Sequence, residues 1–116
     1  MILDDRREIA RIDAGGMLDL VNGLGRMTIE GWEAAASVPL PAGGRAESHT
    51  AVVVTGMGGS GIGGDLLRAL LAPAAVPVIV IKDDRLPAFV GTRTLTFVCS
   101  YSGDTQETLA TYDAVR

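Results

Sequence analysis

Directly after the apolar run Ala51-Val52-Val53-Val54, the stretch Thr55-Gly56-Met57-Gly58-Gly59-Ser60-Gly61-Ile62-Gly63-Gly64-Asp65 puts six glycines into nine positions. Few arrangements use so much bare backbone at the end of a strand. Glycine permits positive φ and lets the main chain approach a neighbour or a ligand closely. The residues beyond, from about Ile62 to Leu71, have helical spacing, so the segment reads as a β-strand, a glycine loop and a helix. The first N–H groups of such a helix have no partner within it, and together with the positive end of the helix dipole they favour an anion such as phosphate. Ser60 adds a hydroxyl to the same loop. Packing strand on helix needs only a short turn, so the length of the glycine run favours anion binding.

The rest of the chain has the same grammar. Strand-like runs AVVV at 51–54, VPVIVI at 76–81 and TLTFVCS at 94–100 alternate with helical ones, the last helix starting near Thr105. That alternation predicts parallel βαβ units. The strands are apolar on both faces, as when helices cover both sides of a parallel sheet. The expected fold class is therefore α/β, a three-layer αβα sandwich with a parallel sheet, for which the flavodoxin-like order 2-1-3 is one arrangement. Before it, residues from Leu3 to about Ala36 carry apolar side chains at three- and four-residue spacings, interrupted at Gly15-Gly16 and Gly23-Leu24-Gly25, and read as two or three short helices. Val38-Pro39-Leu40-Pro41-Ala42-Gly43-Gly44-Arg45 cannot continue a helix. The domain reading is a helical leader and connecting loop at 1–45 and an α/β portion at 46–116.

Composition narrows the function. A chain of 116 residues with formal charge -4 and a pI near 4.8 lacks the clustered Lys and Arg that a nucleic-acid face needs. Ala69 to Ile81 is the longest apolar run, and Pro73 and Pro77 break it, so no membrane span is expected. The N-terminus MILDDRREIA has no apolar signal core, and the single cysteine, Cys99, fits a reducing cytoplasm. No cofactor or metal is expected.

Several loop chemistries can be compared with the motif. A Walker loop ends in Gly-Lys-Ser/Thr, whereas this one gives Gly63-Gly64-Asp65. A nucleophile elbow places a glycine two residues after its serine, where Ile62 stands, and the only histidine, His49, precedes Ser60. A dinucleotide fingerprint does survive. Gly56-x-Gly58-x-x-Gly61 fits GxGxxG, and Asp83 or Asp84 falls where a ribose-binding acid belongs. The third strand adds a feature that fingerprint does not need: it runs into Ser100-Tyr101-Ser102-Gly103-Asp104-Thr105, a second loop crowded with hydroxyls at the same sheet edge. In the order 2-1-3 the first and third strands are neighbours, so Ser60, Ser100, Ser102 and Thr105 would surround one phosphate. Capping by Ser102 or by Asp104 with Glu107 accounts for one or two of these residues, not for four hydroxyls at two loop ends.

Gly56-Met57-Gly58-Gly59-Ser60-Gly61-Ile62-Gly63-Gly64-Asp65, Leu86-Pro87-Ala88-Phe89-Val90 and Ser100-Tyr101-Ser102-Gly103-Asp104-Thr105-Gln106-Glu107-Thr108-Leu109 closely resemble the bifunctional phosphoglucose/phosphomannose isomerases, members of the sugar isomerase (SIS) domain superfamily. The likeness extends to the leader around Asp13 and Trp32. It implies that Ser60, Ser100, Ser102 and Thr105 hold a sugar phosphate while Gly58 and Gly59 line the sugar. Gly61 stands where that family often has alanine, and Asp104 where asparagine is common. The resemblance also implies a longer parent with two such domains, a homodimeric active site, and a catalytic glutamate and histidine beyond Arg116, so that this chain holds no catalytic residue. The implied reaction interconverts glucose 6-phosphate or mannose 6-phosphate with fructose 6-phosphate. The strand TLTFVCS would then be an apolar edge that something should pair with. A non-catalytic sugar-phosphate-sensing SIS module and, less favoured, a dinucleotide-binding domain are the alternatives.

The other notable residues have plainer readings. His49 is expected to be solvated, Cys99 a small buried hydrophobe, Asp83-Asp84 a solvated turn, and Trp32 part of a core.

Overall fold

The computed structural model describes residues 4–39 and 48–116. Packing divides the chain into two units, Met1–Leu40 and Pro41–Arg116. Most of the Pro- and Gly-rich connection, and the expected boundary at 45/46, lie outside the described residues.

In the first unit two helices follow from local signals. Helix α1 (Arg6–Ile12) starts at Asp5, whose carboxylate accepts from the N–H groups of Arg7 at 2.9 Å and Glu8 at 3.4 Å. Arg11 pairs with Glu8 one turn back at 2.9 Å. Gly16, at φ 68°, makes the turn into helix α2 (Met17–Ala36). There the Asp13 carboxylate accepts from Met17 N–H at 2.7 Å and Leu18 N–H at 2.8 Å. Those two bonds, Leu18's first, hold the Asp13 carboxyl below the usual carboxylate range. The interruption expected at Gly23-Leu24-Gly25 does not occur: α2 runs through both glycines for 20 residues. A glycine inside a helix costs roughly 1 kcal/mol against alanine, a weak penalty that good helix formers on either side outweigh. Trp32 is 78% exposed rather than core, because a unit whose other helix has seven residues cannot cover a helix of twenty.

The second unit is a three-stranded parallel sheet in the order β2-β1-β3, formed by β1 (Ala51–Thr55), β2 (Val78–Ile81) and β3 (Thr94–Val98). The register sets Val54 beside Val80 on one side and Phe97 on the other. A 3₁₀ turn (Gly58–Gly61) leads from β1 into helix α3 (Ile62–Leu70), and helix α4 (Gln106–Val115) follows β3. The core is the central strand with its neighbours: Ala51, Val53, Val54, Val78 and Ile81 are buried.

Two contacts show that the helices lie on opposite faces. Gly64 of α3 sits against Val54, since a Cβ built there would come 2.9 Å from Val54 Cβ and 3.1 Å from a Val80 methyl. The next strand residue, Thr55, bonds Thr111 of α4 through their hydroxyls at 3.1 Å. Successive side chains of a strand point to opposite faces, so α3 and α4 sandwich the sheet in three layers. The connection 82–93 carries no helix, and β3 pairs with β1 alone among the described residues. Phe97 on that edge strand is 49% exposed.

Candidate functional site

Parallel strands bring every βα loop to the carboxyl edge of the sheet, so the loops after β1 and β3 leave from neighbouring strands. They touch. Tyr101 N–H donates to Ser60 Oγ at 3.2 Å, and a Cβ on Gly56 would come 2.9 Å from the carbonyl oxygen of Cys99. Only a glycine lets the two backbones approach this closely at position 56. At Gly58 and Gly103 the need is conformational, with φ of 51° and 79°.

The hydroxyls are oriented by backbone donors. Ser60 Oγ accepts from Tyr101 N–H, Ser100 Oγ from Gly103 N–H at 3.0 Å, and Ser102 Oγ from Asp104 N–H at 3.4 Å. Ser102 and Thr105 also share a hydroxyl–hydroxyl bond at 3.2 Å. A serine oxygen that accepts a backbone proton keeps its own proton for another acceptor. One of the two protons in the Ser102–Thr105 pair lies between them, which leaves one of that pair, with Ser60 and Ser100, able to donate outward. Hydroxyl donors of this kind suit an oxyanion with several oxygens.

Backbone donors are fewer than a bare helix start offers. In the 3₁₀ turn Ser60 N–H bonds Met57 O at 3.0 Å and Ile62 N–H bonds Gly59 O, so those two groups do not face outward as expected. Helix α4 does not begin with the capping box that the spacing of Asp104 and Glu107 allows. Its N-cap is Thr105, with no side-chain cap bond, because positive φ at Gly103 and the Ser102–Thr105 bond turn the chain one residue beyond Asp104. The first-turn N–H groups of α4 thus have no side-chain cap.

Two features of the site's surroundings have no motif. Lys82, directly after β2, donates to Asp65 Oδ2 in the first turn of α3 at 2.6 Å, and Arg68 lies 3.4 Å from the other oxygen. The Lys82 bond is the main cause that holds the Asp65 carboxyl below its usual range. Behind the loops, Thr55, Thr108 and Thr111 form a buried polar cluster. Thr111 gives its proton to the Thr108 carbonyl at 2.9 Å, so Thr55 donates to Thr111. The spacing Thr108-x-x-Thr111 was the only available signal, and it has no meaning until α4 is placed on β1.

Other residues differ from expectation or sit apart. The ring nitrogens of His49 are shut off from solvent and have no hydrogen-bond partner among the described residues, whereas a loop histidine is expected to be wet. Cys99 is half-buried, held at the strand end by its N–H to Thr55 O at 2.8 Å. Asp83 and Asp84 form an exposed turn, with Asp84 N–H on Asp83 Oδ1 at 2.7 Å. A groove of about 680 Å³ beside the outer edge of β3 is lined by Leu86, Pro87, Val90, Thr94, Thr96 and Val115 among others. It includes the amino end of β3 and the last turn of α4 and none of the loop hydroxyls, so it lies apart from them. No described group of three or more His, Cys, Asp or Glu is placed to hold a metal, and no described helix is long and apolar enough to cross a membrane.

Fold and loops together define a parallel α/β domain with hydroxyls gathered at the carboxyl edge of its sheet. No protein-family model matches the chain, and no solved structure matches it significantly. Curated proteins do. The chain is 52% identical over 69 residues to the bifunctional phosphoglucose/phosphomannose isomerase of Caldicellulosiruptor bescii, covering 59% of this chain and 20% of that protein. It is 42% identical over 67 residues to the protein of the same name from Aquifex aeolicus, covering 56% and 21%. With the one from Thermoplasma acidophilum the identity is 41% over 66 residues, covering 57% and 21%. Over rather more than half its length the chain is thus a sequence relative of the bifunctional phosphoglucose/phosphomannose isomerases, the family that the motifs resemble. It spans about a fifth of the length of these curated relatives.

Proposed function

We propose that this chain is the phosphosugar-binding portion of an aldose–ketose isomerase that interconverts glucose 6-phosphate or mannose 6-phosphate with fructose 6-phosphate. The observation that carries the reading is the junction of the two loops at Ser60 Oγ and Tyr101 N–H, in a segment related to isomerases of that name. Ser60, Ser100 and the Ser102–Thr105 pair hold the phosphate, the pair donating the one hydroxyl proton not spent between its members, with the uncapped start of α4 adding N–H groups. Gly58 and Gly59 line the sugar, where the absence of side chains leaves room for the ring.

Holding phosphate fixes the sugar, but isomerisation also requires a base that takes the proton from carbon 2 of the aldose and returns it to carbon 1 through a cis-enediolate. No residue of the two loops suits that step. Asp65 is tied to Lys82, and Asp104 is exposed at the turn before α4. The base and the ring-opening acid therefore belong to a full-length protein that carries this segment. Since the enediolate has no stereocentre at carbon 2, one site serves both aldoses.

Fructose 6-phosphate added to the isotopically labelled chain should shift amide signals at Gly58–Gly61 and Ser100–Thr105, while unphosphorylated fructose should not. Equal shifts with both sugars, or none at saturation, would refute the reading. A coupled assay separates binding from catalysis: a full-length protein with this segment is expected to isomerise and the 116-residue chain to be inactive. Ser60→Ala or Ser102→Ala in the full-length protein should lower kcat/KM by about tenfold to a hundredfold, since a hydrogen bond to a charged group contributes roughly 1.5–3 kcal/mol. A full-length protein that binds without turnover would instead be a sensing module.

A further inference from the structure

The two loops carry no cation. From Thr55 to Asp65 and from Cys99 to Thr105 the charged residues are Asp65 and Asp104 alone. A phosphate dianion held only by neutral hydroxyls and amides beside two carboxylates lacks a compensating charge. Lys82 is the only lysine in the sequence and stands at the first position after β2, on the same sheet edge. Its stem crosses the end of the glycine loop: a Cβ built on Gly61 would come 2.9 Å from Lys82 Cε and 3.3 Å from Cγ. Adding one bond at each end puts the ammonium within roughly 6 Å of Gly61 Cα. The side chain is 44% exposed, so the ammonium has room to change partner by rotation about its stem.

We propose that Lys82 supplies the positive charge of the phosphate site and that Asp65 opposes it, so that this ion pair sets the preference of the loops for a dianion. The inference rests on the phosphosugar reading above. A purely mechanical role for the pair is the competing explanation. If the bridge only braced β2 against α3, cutting it from either side would weaken binding alike. If charge is what matters, the two sides act oppositely: Lys82→Met removes the nearer of the two cations on Asp65 and leaves only Arg68, at 3.4 Å, to offset that carboxylate, whereas Asp65→Asn frees the ammonium from its partner.

The test is titration of fructose 6-phosphate and of inorganic phosphate into the chain, followed at the loop amides, for the native sequence, Lys82→Met, Lys82→Arg and Asp65→Asn. The expected result is weakening by about three- to tenfold in Lys82→Met, tightening by about two- to fivefold in Asp65→Asn and near-native affinity in Lys82→Arg, all diminishing as salt rises. Native binding with equal weakening by Lys82→Met and Asp65→Asn, or with no change in either, overturns the role of Lys82 and leaves the phosphosugar reading standing. Native loops that bind neither ligand overturn both. Should Lys82→Met not fold, ¹³C reductive methylation of the native chain gives an independent reading. The dimethyl-lysine signal should then move with the same dissociation constant as the loop amides, and a signal that stays still while the amides shift rules the proposal out.

Discussion

The hydroxyl of Thr111 is fully buried in an α/β domain, and it keeps its place because both its donor and its acceptor capacities are used, toward Thr108 O and from Thr55. Thr111→Val preserves the shape and leaves Thr55 with a buried unpaired donor. Urea unfolding should show a loss of about 1–3 kcal/mol, and Thr55→Val in the same background should restore part of it by removing that donor. The same accounting orders the candidate site, where backbone N–H groups occupy serine oxygens and thereby direct hydroxyl protons elsewhere. Asp65 gives the site's surroundings a pH dependence of definite sign. Its folded pKa is lowered, chiefly by Lys82, so its contribution to stability is complete above its unfolded value, about 4, and is lost as pH falls through the lower folded value. A carboxyl ¹³C titration should find Asp65 below the ordinary aspartate value, and Lys82→Met should bring it back toward that value.

At the level of elements, glycines that look alike in the sequence have different reasons. Gly63 and Gly64 are adjacent in α3, yet a Cβ at Gly63 would meet nothing within 4 Å while one at Gly64 would strike Val54 and Val80. Gly63→Ala should therefore raise stability by about 0.5–1 kcal/mol through helix propensity. Gly64→Ala should lower it by about 1–3 kcal/mol, because α3 must move off the sheet to admit the methyl group. Paired thermal melts of the two variants check both signs. Helix α2 makes the complementary point. Its glycines at 23 and 25 lie within the span without breaking it, since neither a positive φ nor a close neighbour is demanded there.

For the whole molecule, the phosphosugar and dinucleotide readings of the glycine loop diverge in a ligand-stabilisation experiment. Fructose 6-phosphate at a hundredfold excess over its dissociation constant should stabilise the chain by about 2.7 kcal/mol and raise its Tm, while NAD at the same concentration leaves it unchanged; the reverse order would favour the dinucleotide fold. Strand periodicity, the lengths between strands and the parallel βαβ alternation were legible in the residues alone, because each is dictated over a few neighbouring positions by side-chain size and backbone freedom. The hydroxyl loops at the ends of β1 and β3 were legible in the same way, whereas the order β2-β1-β3 is one of several that such an alternation allows and the structure fixes it. What one dimension could not hold is the pairing of distant groups. Nothing near Ser60 announces Tyr101 as its donor, nothing near Lys82 announces Asp65, and Thr55 and Thr111 are 56 positions apart. Trp32 read as core and His49 as wet for the same reason: apolar character and loop position are local, whereas burial depends on which other elements pack against a side chain. The sequence by itself determined the elements and the chemistry available at their ends; only the tertiary structure decided which oxygen meets which proton, because those contacts close through space across the sheet.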